Sequence, residues 1–418
     1  MAMDLQSSIS FSEFPDDVQL NILSFLRPIE ISAFACTCRR FAALCSPSSP
    51  STDLWLALCE RRWGSKTELR RWSAIPSPRL YKTLDRWEQL IGFWRRIGSG
   101  IPGTPPLVFF EWSSSCIIGS RISPSSLAAS YAVRKVPFLW LGLSTAGETL
   151  SYLHPNNPLS DSDVIPVTIS FMGCNHFVVE ETRSFCVDLN MDDSEEVPAV
   201  EAGSPPDRVM SEIYQYFANR TSPGAEKSFR RQRKKKEKER LGRKRWEAEH
   251  FVKISNYFPT PSRPLQGLWK GISEDMILEF YLVTHDDLGG IACRRVGDSA
   301  EPFSGYSPVF WTSNTTFLES PFSKEEHDIY SMRDHIGSVH CNMDREFVSR
   351  ILCINCSYDL VLPDLAGSSG DPRNVEGRIW EYEDGTFGFG FLRNNFVIDL
   401  KHIALDGYVL DNIESYQQ

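Results

Sequence analysis

The side chains best suited to metal chemistry lie in one segment of the C-terminal third. Cys353 and Cys356 are separated by two residues, and the adjacent pair His340 and Cys341 precedes them. Thiolates and imidazoles are the ligands that zinc prefers. A structural zinc site usually pairs one CxxC unit with a second CxxC or HxxxH unit, and an adjacent His-Cys pair is neither. We therefore predict buried free thiols at these positions and no metal site.

Motifs for nucleotide or acyl chemistry are missing from the sequence. No GxxxxGK[ST] loop occurs, and Gly388 and Gly390 lie in a strand pattern without the following helix that a dinucleotide site requires. The segment Gly367-Ser-Ser-Gly370 lacks the GxSxG spacing of a nucleophile elbow. The polar segment His285-Asp-Asp287 is typical of a turn. We predict a non-enzymatic chain without catalytic residues or a cofactor.

Composition places the chain among globular proteins. The 418 residues are 41% hydrophobic and 23% charged, enough for about two to three domains. No apolar run approaches the roughly 20 residues that span a bilayer, and the first residues lack the pattern of a secretory signal. Eleven cysteines without a framework spacing favour free thiols in a reducing compartment. The expected location is the nucleus, the cytoplasm or both.

Charge is distributed unevenly along the chain. The net charge is −10, yet Lys227 to Arg245 carries a local charge of +10, which leaves −20 on the rest. Because the chain outside this segment is acidic, its fold is not expected to bind nucleic acid. The basic segment is therefore expected to have a separate role. That segment is either a nuclear-localisation signal read by an import receptor or a solvated charged stretch. The residues of the candidate signal are Arg230, Arg231, Arg233, Lys234, Lys235, Lys236, Arg243, Lys244 and Arg245.

The first sixty residues carry helical patterns. Phe14 to Leu26 begins with Pro15 and two acidic residues, which favour a helix start, and continues with apolar residues at three- and four-residue spacing. Further helices are predicted over Ile29 to Leu44 and Asp53 to Trp63. Another amphipathic helix is expected from Pro78 to Ile97. Three short helices cannot enclose much core, so the N-terminal unit is expected to need a partner surface.

Short β-type runs dominate from Leu107 to Leu400. Their regular spacing and turn residues suggest one sandwich or closed barrel, divided by a charged insertion of disordered composition. Asp384-Gly385 between two alternating runs predicts a hairpin, and Gly388 and Gly390 predict a bend at a barrel corner rather than a close backbone approach. The predicted organisation is a helical unit at 11–63, a connecting helical segment at 64–104, barrel strands at 105–187, the insertion at 188–264 and further barrel strands at 265–410.

The N-terminal motif resembles an F-box. Phe14-Pro-Asp-Asp-Val18 stands where that motif has Leu-Pro-Asp/Glu-Asp/Glu-Val/Ile, and Ile22-Leu-Ser-Phe-Leu26 matches its Ile-Leu-Ser-x-Leu. Leu54-Trp55 follows later in the expected order, after a lengthened link at Ser46 to Thr52. The resemblance covers Phe11 to Trp63.

The resemblance implies the adaptor-binding end of a cullin-RING ubiquitin ligase. F-box helices pair with a Skp adaptor, which bridges to the cullin and the RING subunit, and catalysis belongs to those partners. Position by position, the implied adaptor contacts are Phe14, Pro15, Val18, Ile22, Leu23, Leu26 and Pro28.

The later strands resemble the substrate-binding β-barrel of plant F-box-only proteins, which is lipocalin-like or avidin-like. Leu265-Gln-Gly-Leu-Trp-Lys-Gly271 and Gly289-Gly-Ile-Ala-Cys-Arg-Arg295 carry this similarity. It implies an α+β multidomain protein whose barrel captures an unknown target protein for ubiquitination. An alternative function is a barrel for a small apolar ligand, with a co-receptor or non-ligase F-box. Residues expected to face a ligand in the barrel are Trp269, Phe280, Trp311, Trp380 and Tyr382.

Overall fold

The computed structural model of the chain describes fourteen stretches of residues. These are 11–46, 53–72, 78–97, 105–127, 130–144, 147–154, 164–182, 248–255, 257–285, 289–296, 306–336, 348–357, 374–405 and 407–413. A short 3₁₀ helix, Phe11–Glu13, comes first. The α-helices in these stretches are α1 Asp16–Leu23, α2 Pro28–Ala35, α3 Arg39–Leu44, α4 Asp53–Trp63, α5 Leu69–Trp72, α6 Pro78–Glu88 and α7 Lys324–Ser331. Within the described residues, no helix has the length and apolarity to cross a membrane.

The N-terminal helices form a small bundle around its own core. Leu23, Ile31, Leu44, Leu54 and Leu58 are buried at its centre. The helix predicted over Ile29 to Leu44 is in fact two helices, α2 and α3. Cys38 adopts an extended conformation between them, and its Sγ accepts a hydrogen bond from the Phe41 amide at 3.5 Å, which caps α3. The sequence offered no glycine or proline to mark this break.

The connecting helix is shorter than the predicted Pro78 to Ile97. It ends at Glu88, and Gly92 then turns the chain with a φ of 110° into the first strand. Glycine adopts this conformation without strain, whereas other residues rarely do. The predicted connecting segment at 64–104 therefore contains a strand of the β structure.

Eight antiparallel strands close into a barrel. Each strand pairs with its neighbours in sequence, and the last pairs with the first. The strands are β1 Gly92–Ile97, β2 Leu107–Trp112, β3 Ile117–Pro124, β4 Val133–Leu143, β5 Thr149–Leu153, β6 Ile165–Phe171, β7 His176–Glu181 and β8 Glu249–Lys253. A barrel of this size is just wide enough for side chains to fill its interior.

This closure corrects the expectation of one barrel with strands on both sides of the insertion. β8 lies inside the range 188–264 that was predicted as insertion, and it completes the barrel by pairing with both β1 and β7. A closed barrel has no free edge, so the strands after residue 265 cannot join it.

Those later strands form a second antiparallel sheet. Its strands are β9 Gly267–Ile272, β10 Leu278–His285, β11 Ile291–Val296, β12 Tyr306–Thr312, β13 Leu318–Glu319, β14 Asp334–Ile336, β15 Val348–Ser357, β16 Asn374–Tyr382, β17 Phe387–Phe391 and β18 Phe396–His402. Their order is β12-β11-β10-β9-β18-β17-β16-β15-β13, and β14 pairs in parallel with β18. The Thr312 hydroxyl donates to the Cys353 carbonyl at 3.3 Å. Because this bond joins β12 to β15, the sheet curls around its inner face. A two-stranded hairpin, β19 Ala404–Leu405 and β20 Tyr408–Val409, follows.

The hairpin predicted at Asp384-Gly385 is confirmed. β16 and β17 pair across it, and Gly385 has a φ of 81°. The bend predicted at Gly388 and Gly390 is wrong, because both residues lie in a regular ladder. A Cβ at Gly388 would lie 2.4 Å from the Tyr382 hydroxyl oxygen, and one at Gly390 would lie 2.7 Å from the Phe396 carbonyl oxygen. Glycine is needed here because neighbouring groups approach the backbone closely.

The barrel and the second sheet share a buried contact. Phe93 and Phe109 on the outer face of the barrel belong to one apolar cluster with Leu268 and Phe280 on the outer face of the sheet. Lys270, fully buried beside this cluster, forms an ion pair with Asp411 at 2.6 Å. The two β units therefore pack as one body through this contact.

Candidate functional site

An apolar face lies exposed on the N-terminal bundle. We define the exposed apolar face as Val18, Ile22, Phe25 and Ile29, whose exposed fractions are 38%, 44%, 72% and 72%. Val18 and Ile22 lie on α1, Phe25 follows it, and Ile29 lies in the first turn of α2. Large apolar side chains clustered at the surface in this way mark sites where another protein docks.

Buried residues on the inner side of α1 hold this face in place. The Gln19 side chain is fully buried and donates to the Phe11 carbonyl at 2.9 Å and to the Phe14 carbonyl at 2.7 Å. These bonds fix the segment that leads into Pro15. Leu23 and Ile31 pack beneath in the bundle core. The exposed apolar face is therefore presented by ordered backbone.

Charged groups surround the exposed apolar face. The Arg27 guanidinium donates to Glu30 at 2.7 Å, and this hydrogen bond lowers the pKa of the Glu30 carboxyl. The Arg61 guanidinium on α4 lies 3.4 Å from the centre of the Phe25 ring. A cation over a ring face is attracted to it. This contact ties α4 to the exposed apolar face.

The predicted contact residues fall into two groups. Pro15, Val18 and Ile22 are exposed, and Phe14, Leu26 and Pro28 are partly exposed. Leu23 is only 1% exposed, so it packs within the bundle and has little surface to offer a partner. The motif comparison missed Phe25 and Ile29. Their positions continue the spacing of Val18 and Ile22 in steps of four, three and four residues, a signal that the sequence does contain.

Helices α4, α5 and α6, which we call the helical bracket, join the bundle to the barrel. Arg62 on α4 forms ion pairs with Asp85 at 2.6 Å and Glu88 at 2.7 Å on α6. The rings of Trp63 and Tyr81 lie 5.1 Å apart in the same joint. Trp72 on α5 packs against Trp112 at the end of β2, with ring centres 5.9 Å apart. The bracket fixes the exposed apolar face relative to the barrel.

The residues predicted to face a ligand do not line one cavity. Trp269 lies in the core cluster on the inner face of the second sheet, and Trp311 packs against that cluster. Phe280 lies on the outer face, in the contact with the barrel. Trp380 and Tyr382 lie in a cluster with Ile329 and Tyr330 of α7, also on the outer face. Successive side chains of a strand point to opposite faces of its sheet. The structure therefore corrects the prediction that Phe280, Trp380 and Tyr382 face a ligand inside the barrel.

The inner face of the second sheet is filled by rings. The Trp269 ring centre lies 4.8 Å from that of Phe387, and Phe389 lies 5.3 Å from Phe310 and 5.9 Å from Tyr281. These separations are those of packed aromatic side chains. Trp269 also stacks on His402 at 4.3 Å.

Two further groups of candidate residues came from the sequence: the Cys and His residues considered for zinc, and the basic residues of the candidate localisation signal. Burial raises the pKa of the Cys353 thiol, whereas His340 and Cys341 lie outside the described residues. Among the described residues, no group of three or more His, Cys, Asp or Glu side chains could hold a metal ion. The basic residues of the candidate localisation signal, Arg230 to Arg245, also lie outside the described part of the chain.

Comparison with known proteins identifies the family. The F-box domain matches residues 11–50. The chain is 44% identical over 432 aligned residues to F-box protein At3g12350 of Arabidopsis thaliana, and the alignment covers 98% of this chain and 99% of that protein. It is also 47% identical over 60 residues to F-box/kelch-repeat protein At1g51550 of the same plant, covering 14% of this chain and 12% of that protein. The chain belongs to the F-box proteins.

Membership gives the F-box domain of this chain a general role. F-box proteins are in general non-catalytic adaptor subunits of Skp-cullin-F-box ligases, and the domain implies binding to a Skp-like adaptor. The matched residues, 11–50, contain α1, α2 and α3 together with the exposed apolar face.

Proposed function

We propose that this chain is the substrate-recognition subunit of a Skp-cullin-F-box ubiquitin ligase. The exposed apolar face of the F-box binds the Skp adaptor, and the barrel and second sheet bind a target protein. Exposure of Phe25 and Ile29 at 72% each is the observation that carries the proposal. A helical apolar surface docked in an apolar groove is a common mode of recognition.

The chain's contribution to ubiquitination is geometric. Transfer is catalysed by the RING subunit and its conjugating enzyme, and the receptor supplies proximity and orientation. The α4–α6 bracket supports this role because the ion pairs of Arg62 and the Trp72–Trp112 contact fix the F-box on the barrel. A target held by the β structure then lies at a set distance from the adaptor.

The packing does not favour the alternative of a small apolar ligand. Such a ligand needs an internal cavity of about 300 Å³ or more. The rings of Trp269, Phe387, Phe389 and Phe310 fill the inner face of the second sheet. A protein target that binds at the outside of the β structure needs no such space.

Adaptor binding tests the proposal. The purified full chain is titrated with a Skp adaptor and compared with the double variant Phe25→Ala, Ile29→Ala. Central apolar interface residues commonly cost about 2 kcal/mol or more on truncation, so we expect affinity to fall at least thirtyfold.

The matched control is Met332→Ala, which removes a similarly exposed apolar side chain, 77% exposed, from the residue that follows α7. It should bind the adaptor as the wild type does. All proteins must show the same thermal melting profile. A folded wild-type chain that does not bind a Skp adaptor would disprove the ligase role.

We also propose that Lys227 to Arg245 directs nuclear import. The local charge of +10 in an otherwise acidic chain supports this. Replacing Lys234, Lys235 and Lys236 with Ala in a fluorescent fusion should shift the protein from the nucleus to the cytoplasm. Replacing Lys82, Lys324 and Lys401, which lie in other elements, is the control. An unchanged distribution in the first variant would overturn this proposal.

A further inference from the structure

Three cations lie in a row on the exposed side of α6. Arg79, Lys82 and Arg86 are spaced by three and four residues, which places them on one face of the helix. All three side chains are exposed. At a rise of 1.5 Å per residue, the row is about 10 Å long. We call these three residues the basic stripe. The other side of α6 packs into the protein through its buried residues, Leu80, Leu84 and Trp87.

The acidic residues of α6 do not neutralise the basic stripe. Asp85 and Glu88 lie on the flank of the helix that faces α4, where they form ion pairs with Arg62. Glu88 also pairs with Lys66 at 3.0 Å. Within the part of the chain that the structure describes, no ion pair involves the basic stripe. The contact between α4 and α6 therefore uses the acidic groups of α6 and leaves its three outward cations uncompensated.

One end of the basic stripe lies beside an exposed apolar residue of the barrel. The Arg86 guanidinium lies 4.7 Å from the centre of the Phe171 ring, at the end of β6. The next residue, Met172, is in the turn between β6 and β7 and is 60% exposed. The surface that results crosses from the helical bracket to the barrel. It offers a row of positive charges with an apolar contact at one end.

The length and surroundings of the basic stripe favour an acidic polypeptide over other polyanions. An extended chain advances about 3.3 Å per residue, so about four residues cover the stripe. Double-stranded nucleic acid carries one negative charge per about 1.7 Å, and an anionic bilayer is a wide negative surface. Either would extend past the stripe over a chain whose net charge is −10, where repulsion opposes binding. A short acidic segment avoids this repulsion.

We propose that the basic stripe binds an acidic segment of the target polypeptide, with an apolar side chain of that segment packed on Met172. A single exposed ion pair contributes little, so several carboxylates and the apolar contact act together. Complementary charge of this kind selects partners and speeds their association. This inference rests on the proposed role as a target receptor. The target is then held on the helices that join the F-box to the barrel.

The test uses the full chain bound to its Skp adaptor. The probes are two pools of capped peptides with random uncharged flanks, one with the fixed core Glu-Asp-Glu-Asp-Leu and one with Gln-Asn-Gln-Asn-Leu. We expect the acidic pool to be retained about tenfold over the amide pool, as several exposed ion pairs together would give. The ratio should fall as salt is added, because exposed charges are screened. The double variant Arg79→Gln, Arg86→Gln should lose most of the preference.

The matched control is the double variant Arg393→Gln, Lys401→Gln. It removes the same charge, and both side chains are exposed cations that lie over aromatic rings, as Arg86 does. The control should keep the preference for the acidic pool. If the double stripe variant does not fold, Lys82→Gln takes its place. Lys82 forms no hydrogen bond or ion pair within the described residues, so this change removes charge alone and should lower the preference.

The apolar contact is tested separately with Met172→Ser. This variant changes no charge, so it should weaken retention of both pools while the ratio between them stays the same. Unchanged retention would overturn the part of the proposal that concerns Met172.

Other results overturn the proposal as a whole. Equal retention of the two pools does so, as does a preference that persists in Arg79→Gln, Arg86→Gln. A single-stranded RNA and vesicles of phosphatidylserine and phosphatidylcholine are measured in parallel, and stronger binding of either would replace the polypeptide as occupant. Adaptor binding is measured in the same samples. A chain that binds the adaptor without preferring the acidic pool disproves this inference alone, whereas a chain that does not bind the adaptor disproves the ligase role.

Discussion

At the scale of single residues, His402 links the folding of the second sheet to pH. Its ring stacks on Trp269, and burial lowers its pKa, an effect that the Asp384 carboxylate partly opposes. A histidine whose folded pKa lies below its usual 6.5 keeps its full contribution to stability above that pH. The contribution is lost as pH falls from about 6.5 through the lowered pKa.

His402→Phe is expected to remove this part of the pH dependence. Phenylalanine keeps a flat ring against Trp269 but cannot bind a proton. The free energy of unfolding of the variant should therefore decline less than that of the wild type between pH 7 and pH 5. Urea titrations at several pH values measure it, and parallel pH curves would contradict the prediction.

Gly388 lies at a position where neighbouring groups leave no room for a side chain. A Cβ there would lie 2.4 Å from the Tyr382 hydroxyl and 2.8 Å from Asp399 Oδ1, two groups that are hydrogen-bonded at 2.5 Å. Overpacking costs about 1 to 3 kcal/mol, and we expect Gly388→Ala to destabilise the protein by that amount. Asn395→Ala, at an exposed turn position of the same sheet, should cost under about 0.5 kcal/mol. Equal unfolding midpoints for the two variants would refute this.

At the scale of elements, α7 is attached to the second sheet by one ion pair above an apolar contact. The Arg378 guanidinium on β16 donates to both oxygens of Glu326, at 3.0 and 2.9 Å, and both side chains are largely buried. Ile329 and Tyr330 pack beside Trp380.

Glu326→Gln is expected to loosen α7. It leaves the Arg378 charge without its counter-charge, a loss of about 1 to 3 kcal/mol for a buried group. Hydrogen exchange should speed up across Lys324–Ser331 while the barrel is unaffected. Glu325→Gln, one position away but exposed, is the control and should behave as the wild type. Unchanged exchange in the Glu326 variant would show that the apolar contact alone holds the helix.

Local patterns predicted several elements correctly. The helix over Asp53–Trp63 and the hairpin at Asp384-Gly385 follow from apolar spacing and turn chemistry. The join between α6 and β1 was missed because Trp87, Leu90, Ile91 and Trp94 continue a helical spacing, and only Gly92 marks the change. The F-box motif located the exposed apolar face, though not Phe25 and Ile29.

The periodicity of apolar residues does not predict which strands pair with each other. Alternation predicts that Phe280, Trp380 and Tyr382 lie in strands, but which face turns inward depends on pairing between distant segments. For the same reason β8 was assigned to the insertion, since its short run follows the basic segment directly.

At the scale of the whole molecule, one apolar contact couples the barrel to the second sheet. Phe280, 6% exposed, is central to it. Phe280→Ala should cost about 3 to 5 kcal/mol and separate a single unfolding transition into two. Phe258→Ala, whose ring is 36% exposed, serves as the control and should keep one transition. Calorimetry that shows one transition for both variants would mean that other contacts suffice for coupling.

The order of the strands along the chain also determines when the barrel can close during synthesis. β7 ends at Glu181 and β8, the strand that closes the barrel, starts only at Glu249. At about 5 to 20 residues per second, a ribosome needs roughly 3 to 14 s to make the sequence between them. During that interval β1 and β7 have unpaired edges, which invite pairing with other chains. The nascent protein therefore passes through a period in which its barrel is an open sheet and depends on protection from its surroundings.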